Sequence, residues 1–125
     1  MLVRKEFTFD AAHNLVRYHG KCEALHGHTY RLAVELEGAP DEEGMVLDFA
    51  KLAQVVRERV VSRLDHAYIN ELIAQPTAEN IAGWAWERIE AELSCSNCRL
   101  YRVEVWETPT SCAVLRADDR TEKRP

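Results

Sequence analysis

The sequence predicts an α+β fold of order ββααββ: an antiparallel four-stranded sheet with two helices on one face. Three observations predict it. Two segments near the N-terminus alternate apolar and polar residues, two central segments repeat apolar residues at helical spacing, and two alternating segments follow them. Strand pairs that adjoin in sequence favour antiparallel pairing, and one apolar face per strand leaves one side of the sheet for the helices.

Residues 2–9 read as the first strand, with Val3, Phe7 and Phe9 on one parity. That parity runs on through Ala11 to His13, so a continuing strand puts His13 on the apolar face. Residues 28–37 are the second strand. Tyr30, Leu32, Val34 and Leu36 alternate with Thr29, Arg31, Ala33, Glu35 and Glu37, and extending the pattern backward adds His28 and His26 to the apolar side. A loop with Gly38, Pro40 and Gly44 follows. Asp48 suits an N-cap for a helix to about Leu64, with Phe49, Leu52, Val56 and Val60 at helical spacing. A second helix starts near Thr77, just after Pro76, and buries Ile81, Trp84, Ala85, Ile89 and Leu93. Trp84 and Trp86 are two apart on it and do not both face the core; one of them suits a subunit contact. Residues 99–107 form the third strand, with Tyr101, Val103 and Val105 on one face, Arg102, Glu104 and Trp106 on the other, and Glu107 on the apolar parity. Residues 112–116 form the fourth. One domain spans 1–116, and the polar tail 117–125 is expected to fray. Such a sheet has two edges, which small proteins often pair with another subunit.

The chain has 125 residues, with 16 Lys+Arg against 21 Asp+Glu and a formal net charge of −5. That balance disfavours general nucleic-acid and anionic-membrane binders. An apolar fraction of 46% excludes wholesale disorder. No apolar run approaches the ~20 residues of a membrane helix. The opening MLVRKEFTF lacks an apolar signal core, so a cytoplasmic protein is expected. The four cysteines are therefore expected to be reduced thiols.

The chemistry lies in the histidines. His26 and His28 are two apart on a strand and share a face, and His13 ends a neighbouring strand on the same face. Three neutral imidazoles there make a site for Zn²⁺ with a fourth position open; the bland alternative is a set of polar loop residues. Cys22, beside Lys21 and four residues before His26, has three readings: a fourth ligand closing a structural site, a base or nucleophile beside an open metal, or a free loop thiol. Asp65-His66 reads as a proton relay, or as a histidine at a helix C-terminus beside a solvated Asp. Glu107 reads as an anchor for a ligand edge with paired N–H donors, or as a strand-end carboxylate reaching solvent. The Cys95-Ser-Asn-Cys98 segment is a lone thiol pair and reads as a loop. His19 is a spare loop residue or a pocket wall. Arg17 and Lys21 suit an anionic substrate, or are solvated surface charge.

Six stretches occur in an order and spacing that resembles the 6-pyruvoyl-tetrahydropterin synthase family, which includes the bacterial 6-carboxy-tetrahydropterin synthases of queuosine biosynthesis. They are FTFDAAHNL, KCEALHGHTYRLAVELEG, GMVLDFAKL, RLDHAYIN, PTAENIAGWAWERI and VEVWET, across residues 7–108. The resemblance implies zinc on His13, His26 and His28, a catalytic cysteine at Cys22 and an Asp–His relay at Asp65 and His66. It implies a pterin-anchoring carboxylate at Glu107, with Thr77 and Glu79 at the pterin too. It also implies the tunnelling fold, in which sheets close into barrels, two trimers stack as a hexamer and active sites lie between subunits. The implied substrate is 7,8-dihydroneopterin triphosphate. The short Cys22-x₃-His26 spacing favours the carboxy branch, since the animal pyruvoyl enzymes tend to a longer gap. The expected reaction is loss of triphosphate and acetaldehyde to give 6-carboxy-tetrahydropterin. The alternatives are a pyruvoyl synthase that stops after triphosphate elimination, and a non-catalytic module binding zinc or pterin.

Overall fold

The computed structural model describes residues 1–17 and 24–122. Its elements are β1 (Leu2–His13), β2 (His26–Gly38), α1 (Phe49–Val56), a π-helical turn (Arg57–Val61), α2 (Ser62–Leu64), β3 (Ala67–Tyr68), a 3-10 turn (Ile69–Glu71), α3 (Ala78–Ile89), β4 (Cys98–Thr108), β5 (Ser111–Arg116) and α4 (Ala117–Glu122). The sheet order is β3-β1-β2-β4-β5. The pairs β1–β2, β2–β4 and β4–β5 are antiparallel, and β3 runs parallel to β1. The sheet is thus five-stranded and mixed rather than four-stranded and antiparallel. The added strand is only Ala67 and Tyr68, opposite Ala11 and Ala12, too short for an alternation to show.

Alternation decides which face is buried. Phe7, Phe9, Tyr30, Leu32, Val34, Leu36, Val103 and Val105 form one core with Leu52, Val56, Val60 and Leu64 of the first helical run and Ile81, Ala85 and Ile89 of α3. Each fully buried Leu, Ile or Val there contributes about 1.5–3 kcal/mol of transfer free energy. The caps are where the residue types place them. Asp48 accepts from the Ala50 N–H and Thr77 Oγ1 from the Asn80 N–H. The predicted helix of 48–64 is present, but Ser62 N–H reaches back five residues to the Arg57 carbonyl, a π-turn that no Gly or Pro announces. Leu93 is buried but lies beyond the end of α3. Trp86 fills the core, while Trp84 is half-buried under the Arg88 guanidinium.

β4 carries two bulges, and the first moves side chains off the expected parity. Leu36 pairs with Leu100 and Glu35 with Arg102, so Tyr101 is the extra residue and Leu100, not Tyr101, takes the core face. Trp106 pairs with Cys112 and Thr108 with Ser111, which leaves Glu107 as the extra residue of the second bulge.

The opposite face carries a charged network. Arg4 donates to Glu35 at 2.6 Å and to both Glu104 oxygens at 2.9 and 3.0 Å. Arg102 and the Trp106 indole N–H also donate to Glu104 at 2.9 Å. Glu104 and Glu35 are buried beneath these partners, as is Ala33.

Two further expectations are corrected. Cys95 and Cys98 are joined as a disulfide rather than held as thiols, their Cα atoms 5.2 Å apart across a tight turn. The turn suits the bond because Cys95 and Cys98 already pair as an antiparallel bridge. Residues 117–122 form α4 rather than a frayed tail, tied down by Arg120 to Glu87 at 3.1 Å. Among the described residues no helix is long and apolar enough to cross a membrane.

Candidate functional site

His13, at the end of β1, pairs directly with His26, at the start of β2, and Ala11 pairs with His28. Opposed residues of an antiparallel pair share a face, so all three rings project to the helix side. Glu107, the extra residue of the second bulge in β4, joins them. The donor atoms of His13, His26, His28 and Glu107 all lie within 4.8 Å of one another, a group that can hold a metal ion.

Hydrogen bonds fix which nitrogens are free. His13 Nδ1 lies 2.7 Å from the carbonyl of Pro76, and His26 Nδ1 lies 2.8 Å from that of Ala24. A carbonyl only accepts, so each Nδ1 carries the proton and, in the neutral ring, each Nε2 is an unprotonated lone pair. Those two Nε2 atoms stand 3.0 Å apart. Two lone pairs at that distance repel unless a proton or a cation sits between them. An imidazole pinned at Nδ1 by a carbonyl, presenting Nε2, is the usual arrangement of a metal-ligating histidine. His28 Nε2 is buried without an aligned hydrogen bond, although Glu107 Oε1 is 2.9 Å away, and that oxygen is 3.2 Å from His13 Nε2. Burial pushes the His28 ring below its usual value; His26 and His13 add to this, and Glu107 opposes it. Tyr30, wholly buried, stands edge-on to His13 and His28 with its hydroxyl unpaired among the described residues. Burial, reinforced by Glu107, pushes that hydroxyl up. The residues present therefore fit a divalent metal.

Glu107 also lines a cavity of about 380 Å³ with Ala78, Glu79, Ser111, Cys112, Ala113 and Val114. Glu79 is thus a neighbour of Glu107 in this cavity. Thr77 is committed to capping α3, one residue before Ala78.

Asp65 and His66 lie elsewhere. Asp65 Oδ1 is 3.1 Å from His66 Nδ1, and the pair clusters with Asp10. Asp10 is opposed by Thr29 and is on the sheet face away from the three histidines. A wide cavity of about 620 Å³ runs there past Asp10, Ala12, Gly27, Thr29 and His66 to Tyr68, and touches His28. The Asp10 N–H, followed by His66, holds the Asp65 carboxyl below its usual range, against a smaller desolvation effect. His66 has φ 60°, left-handed backbone that a non-glycine residue adopts at a cost. One chain thus brings His13, His26, His28 and Glu107 together and places Asp65–His66 on the other face. Cys22, His19 and Lys21 lie outside the described residues; Arg17 is exposed, its N–H 3.4 Å from Gln75 Oε1. Sequence reasoning missed Pro76 and Ala24, whose roles are carbonyls any residue supplies, and Asp10, whose parity with Thr29 was readable.

A family model described as 6-pyruvoyl tetrahydropterin synthase matches residues 2–118. A Synechocystis sp. protein named 6-carboxy-5,6,7,8-tetrahydropterin synthase is 40% identical over 119 residues, 90% of each chain. A Pyrococcus furiosus protein named dihydroneopterin monophosphate aldolase is 45% identical over 100 residues, 80% of this chain and 83% of its own. The solved Caenorhabditis elegans 6-pyruvoyl tetrahydropterin synthase superposes with a TM-score of 0.83 at 29% identity, covering 94% of this chain and 95% of its own. With the family model spanning nearly all of it and these relatives matching along most of its length, the chain belongs to the 6-pyruvoyl tetrahydropterin synthase family.

Proposed function

We propose that this protein is a zinc-dependent 6-carboxy-5,6,7,8-tetrahydropterin synthase, a lyase acting on 7,8-dihydroneopterin triphosphate. The observation that carries the metal reading is the apposition of His13 Nε2 and His26 Nε2 with both Nδ1 protons committed to carbonyls. The carboxy activity rests on relatives of that name at 38–40% identity over most of both chains.

His13, His26 and His28 would hold the zinc, which would supply Lewis acidity for side-chain oxygens of the substrate. The chain's own residues do the rest. Glu107, between the histidines and the cavity it shares with Glu79, accepts hydrogen bonds from the pterin's amino group and ring N–H and so fixes the ring. Cys22 thiolate removes a proton from the substrate side chain. His66, its Nδ1 held by Asp65 and its ring exposed, exchanges a proton at Nε2. Because Asp65–His66 and the three histidines occupy opposite faces of one sheet, the relay serves the metal centre of a neighbouring copy. A closed homo-oligomer, in the family a dimer of trimers, meets that need and covers the sheet edges. A cytoplasmic location goes with this reading.

The test is incubation of zinc-loaded protein with 7,8-dihydroneopterin triphosphate, measuring pterin product and acetaldehyde together. Matched acetaldehyde and 6-carboxy-tetrahydropterin establish the carboxy activity. Pterin turnover without acetaldehyde assigns the pyruvoyl branch, and no turnover with zinc bound favours a non-catalytic module. The 45% identity to an aldolase named for dihydroneopterin monophosphate supports a second reading, in which the monophosphate is the substrate. Turnover of the monophosphate in preference to the triphosphate selects it.

A further inference from the structure

The geometry points to Asp10 as the positioning residue of the Asp65–His66 pair, an assignment that rests on the relay reading above. Asp10 and Thr29 oppose each other in the β1–β2 ladder. The main-chain groups of Asp10 are nonetheless turned toward residues 65 and 66. Its N–H donates to Asp65 Oδ1 at 3.0 Å, and its carbonyl accepts from the His66 N–H at 2.6 Å. One residue of the sheet thus grips both members of the relay.

The grip falls where the backbone needs it. His66 sits at φ 60°, a conformation that persists only when neighbours hold it. The Asp65 N–H is bonded to Val61 at the end of the helical run, and β3 begins at Ala67, opposite Ala11. The turn is therefore fixed by the helix behind, by β1 ahead and by Asp10 at its centre.

The Asp10 side chain holds the clamp itself in place. Thr29 Oγ1 donates to Asp10 Oδ1 at 2.5 Å, tying β1 to β2 at the rung where β1 reaches out to the relay. A carboxylate oxygen of Asp10 also lies within 4.8 Å of both the Asp65 carboxylate and a His66 ring nitrogen. The side chain neither touches the three histidines nor enters the cavity of Glu107, so its contribution to turnover runs through His66. Asp10 is exposed, so removing its side chain leaves no hole in the core.

The test compares Asp10→Ala, Asp10→Asn and Thr29→Val in the full chain loaded with zinc. Two readouts are taken: amide hydrogen exchange at His66 without substrate, and kcat and KM for the pterin triphosphate. Asp10→Ala and Thr29→Val are expected to speed His66 exchange by about tenfold, the release of one hydrogen-bonded tether. They are expected to lower kcat by about tenfold to 100-fold with KM within about twofold, as misplacing a proton-transfer group does. Asp10→Asn keeps an oxygen that accepts from Thr29 and is expected to retain most of both values. His66 exchange and kcat unchanged in Asp10→Ala overturn the assignment, and so does an Asp10→Asn variant as impaired as Asp10→Ala. The exchange readout needs no substrate. A wild-type protein that fails to turn over the triphosphate sinks the synthase reading while leaving the role of Asp10 to be decided by exchange.

Discussion

His13 and His26 present their Nε2 atoms to each other across 3.0 Å, while carbonyls of Pro76 and Ala24 hold their Nδ1 protons. That arrangement predicts tight uptake of one divalent ion per chain. His26→Ala and His28→Ala are expected to lose zinc and turnover together and to stay folded, since both rings are only half-buried at the sheet end. Removing zinc with a chelator is expected to lower the Tm of wild type by the linkage of a ligand that binds only the folded state. Full zinc content in His26→Ala and His28→Ala, measured by atomic absorption, refutes the site.

The two faces of β1 predict complementation. On the proposed mechanism, His28→Ala lacks a ligand on one face and His66→Ala lacks the relay on the other. Co-refolding the two inactive chains is expected to restore part of the turnover, because some sites then pair an intact histidine cluster with an intact neighbouring relay. If mixed assemblies form and stay inactive, the relay acts within one chain, around the cavity that touches both His28 and His66.

Acid is expected to unlock the outer face of the sheet. The Arg4 hydrogen bonds, helped by Trp106 and Arg102 and opposed by desolvation, lower the Glu104 carboxyl to about 2 from an ordinary 4.5. A depressed carboxyl stabilises the fold above its unfolded value and loses that contribution as the pH falls from about 4.5 toward 2. The shift corresponds to on the order of 3 kcal/mol. Glu104→Gln is expected to be destabilised at pH 7 and to converge on wild type only as the pH falls through about 2. Urea midpoints measured across that range check it, and a constant gap between the two proteins counts against the network.

The Cys95–Cys98 bond lies at the far end of the sheet, where Gly38 pairs with Cys98, while the metal group sits where His26 pairs with His13. A Cβ at Gly38 would collide with the Asn97 carbonyl, so the turn and β2 are already in close contact. The bond closes a short loop and contributes about 2 kcal/mol by loop-closure entropy. Cys95→Ser/Cys98→Ser is expected to lower the Tm by several degrees with kcat and zinc content unchanged. A fall in kcat matching the loss of stability would show that the two ends of the sheet are coupled.

Much of this was legible in advance, for physical reasons that differ by residue. Strand parity is a strict period of two, so the alternation of Tyr30 to Leu36 carried His26 and His28 to their face and the run from Phe7 carried His13 to the same one. Caps are local chemistry, so Asp48 and Thr77 were readable too. A bulge is a single unpaired residue set by the partner strand, and no pattern within 98–108 announces that Tyr101 and Glu107 are extra. The burial of Glu35 and Glu104 depends on Arg4 from a strand far away in sequence, and β3 is two residues held by β1. The side on which Asp65–His66 falls is likewise set by contacts with Asp10, 55 residues earlier.

In its proposed relay role, His66 pairs a chemical need with a backbone cost. Its ring is exposed and bonded to Asp65, while its φ of 60° is one that glycine adopts freely. His66→Gly keeps the N–H that Asp10 accepts and removes the Cβ that makes the conformation costly. The relief, up to about 1 kcal/mol, competes with the greater freedom of glycine in the unfolded chain. The variant is therefore expected to be as stable as wild type or slightly more so, and to have lost most of its turnover. His66→Ala keeps the strain and loses the ring, so it is expected to be less stable than His66→Gly and equally inactive. Thermal melts of the two variants, read beside their kcat, separate the cost of the backbone from the work of the imidazole. A His66→Gly protein less stable than His66→Ala shows that the left-handed turn carries no such cost.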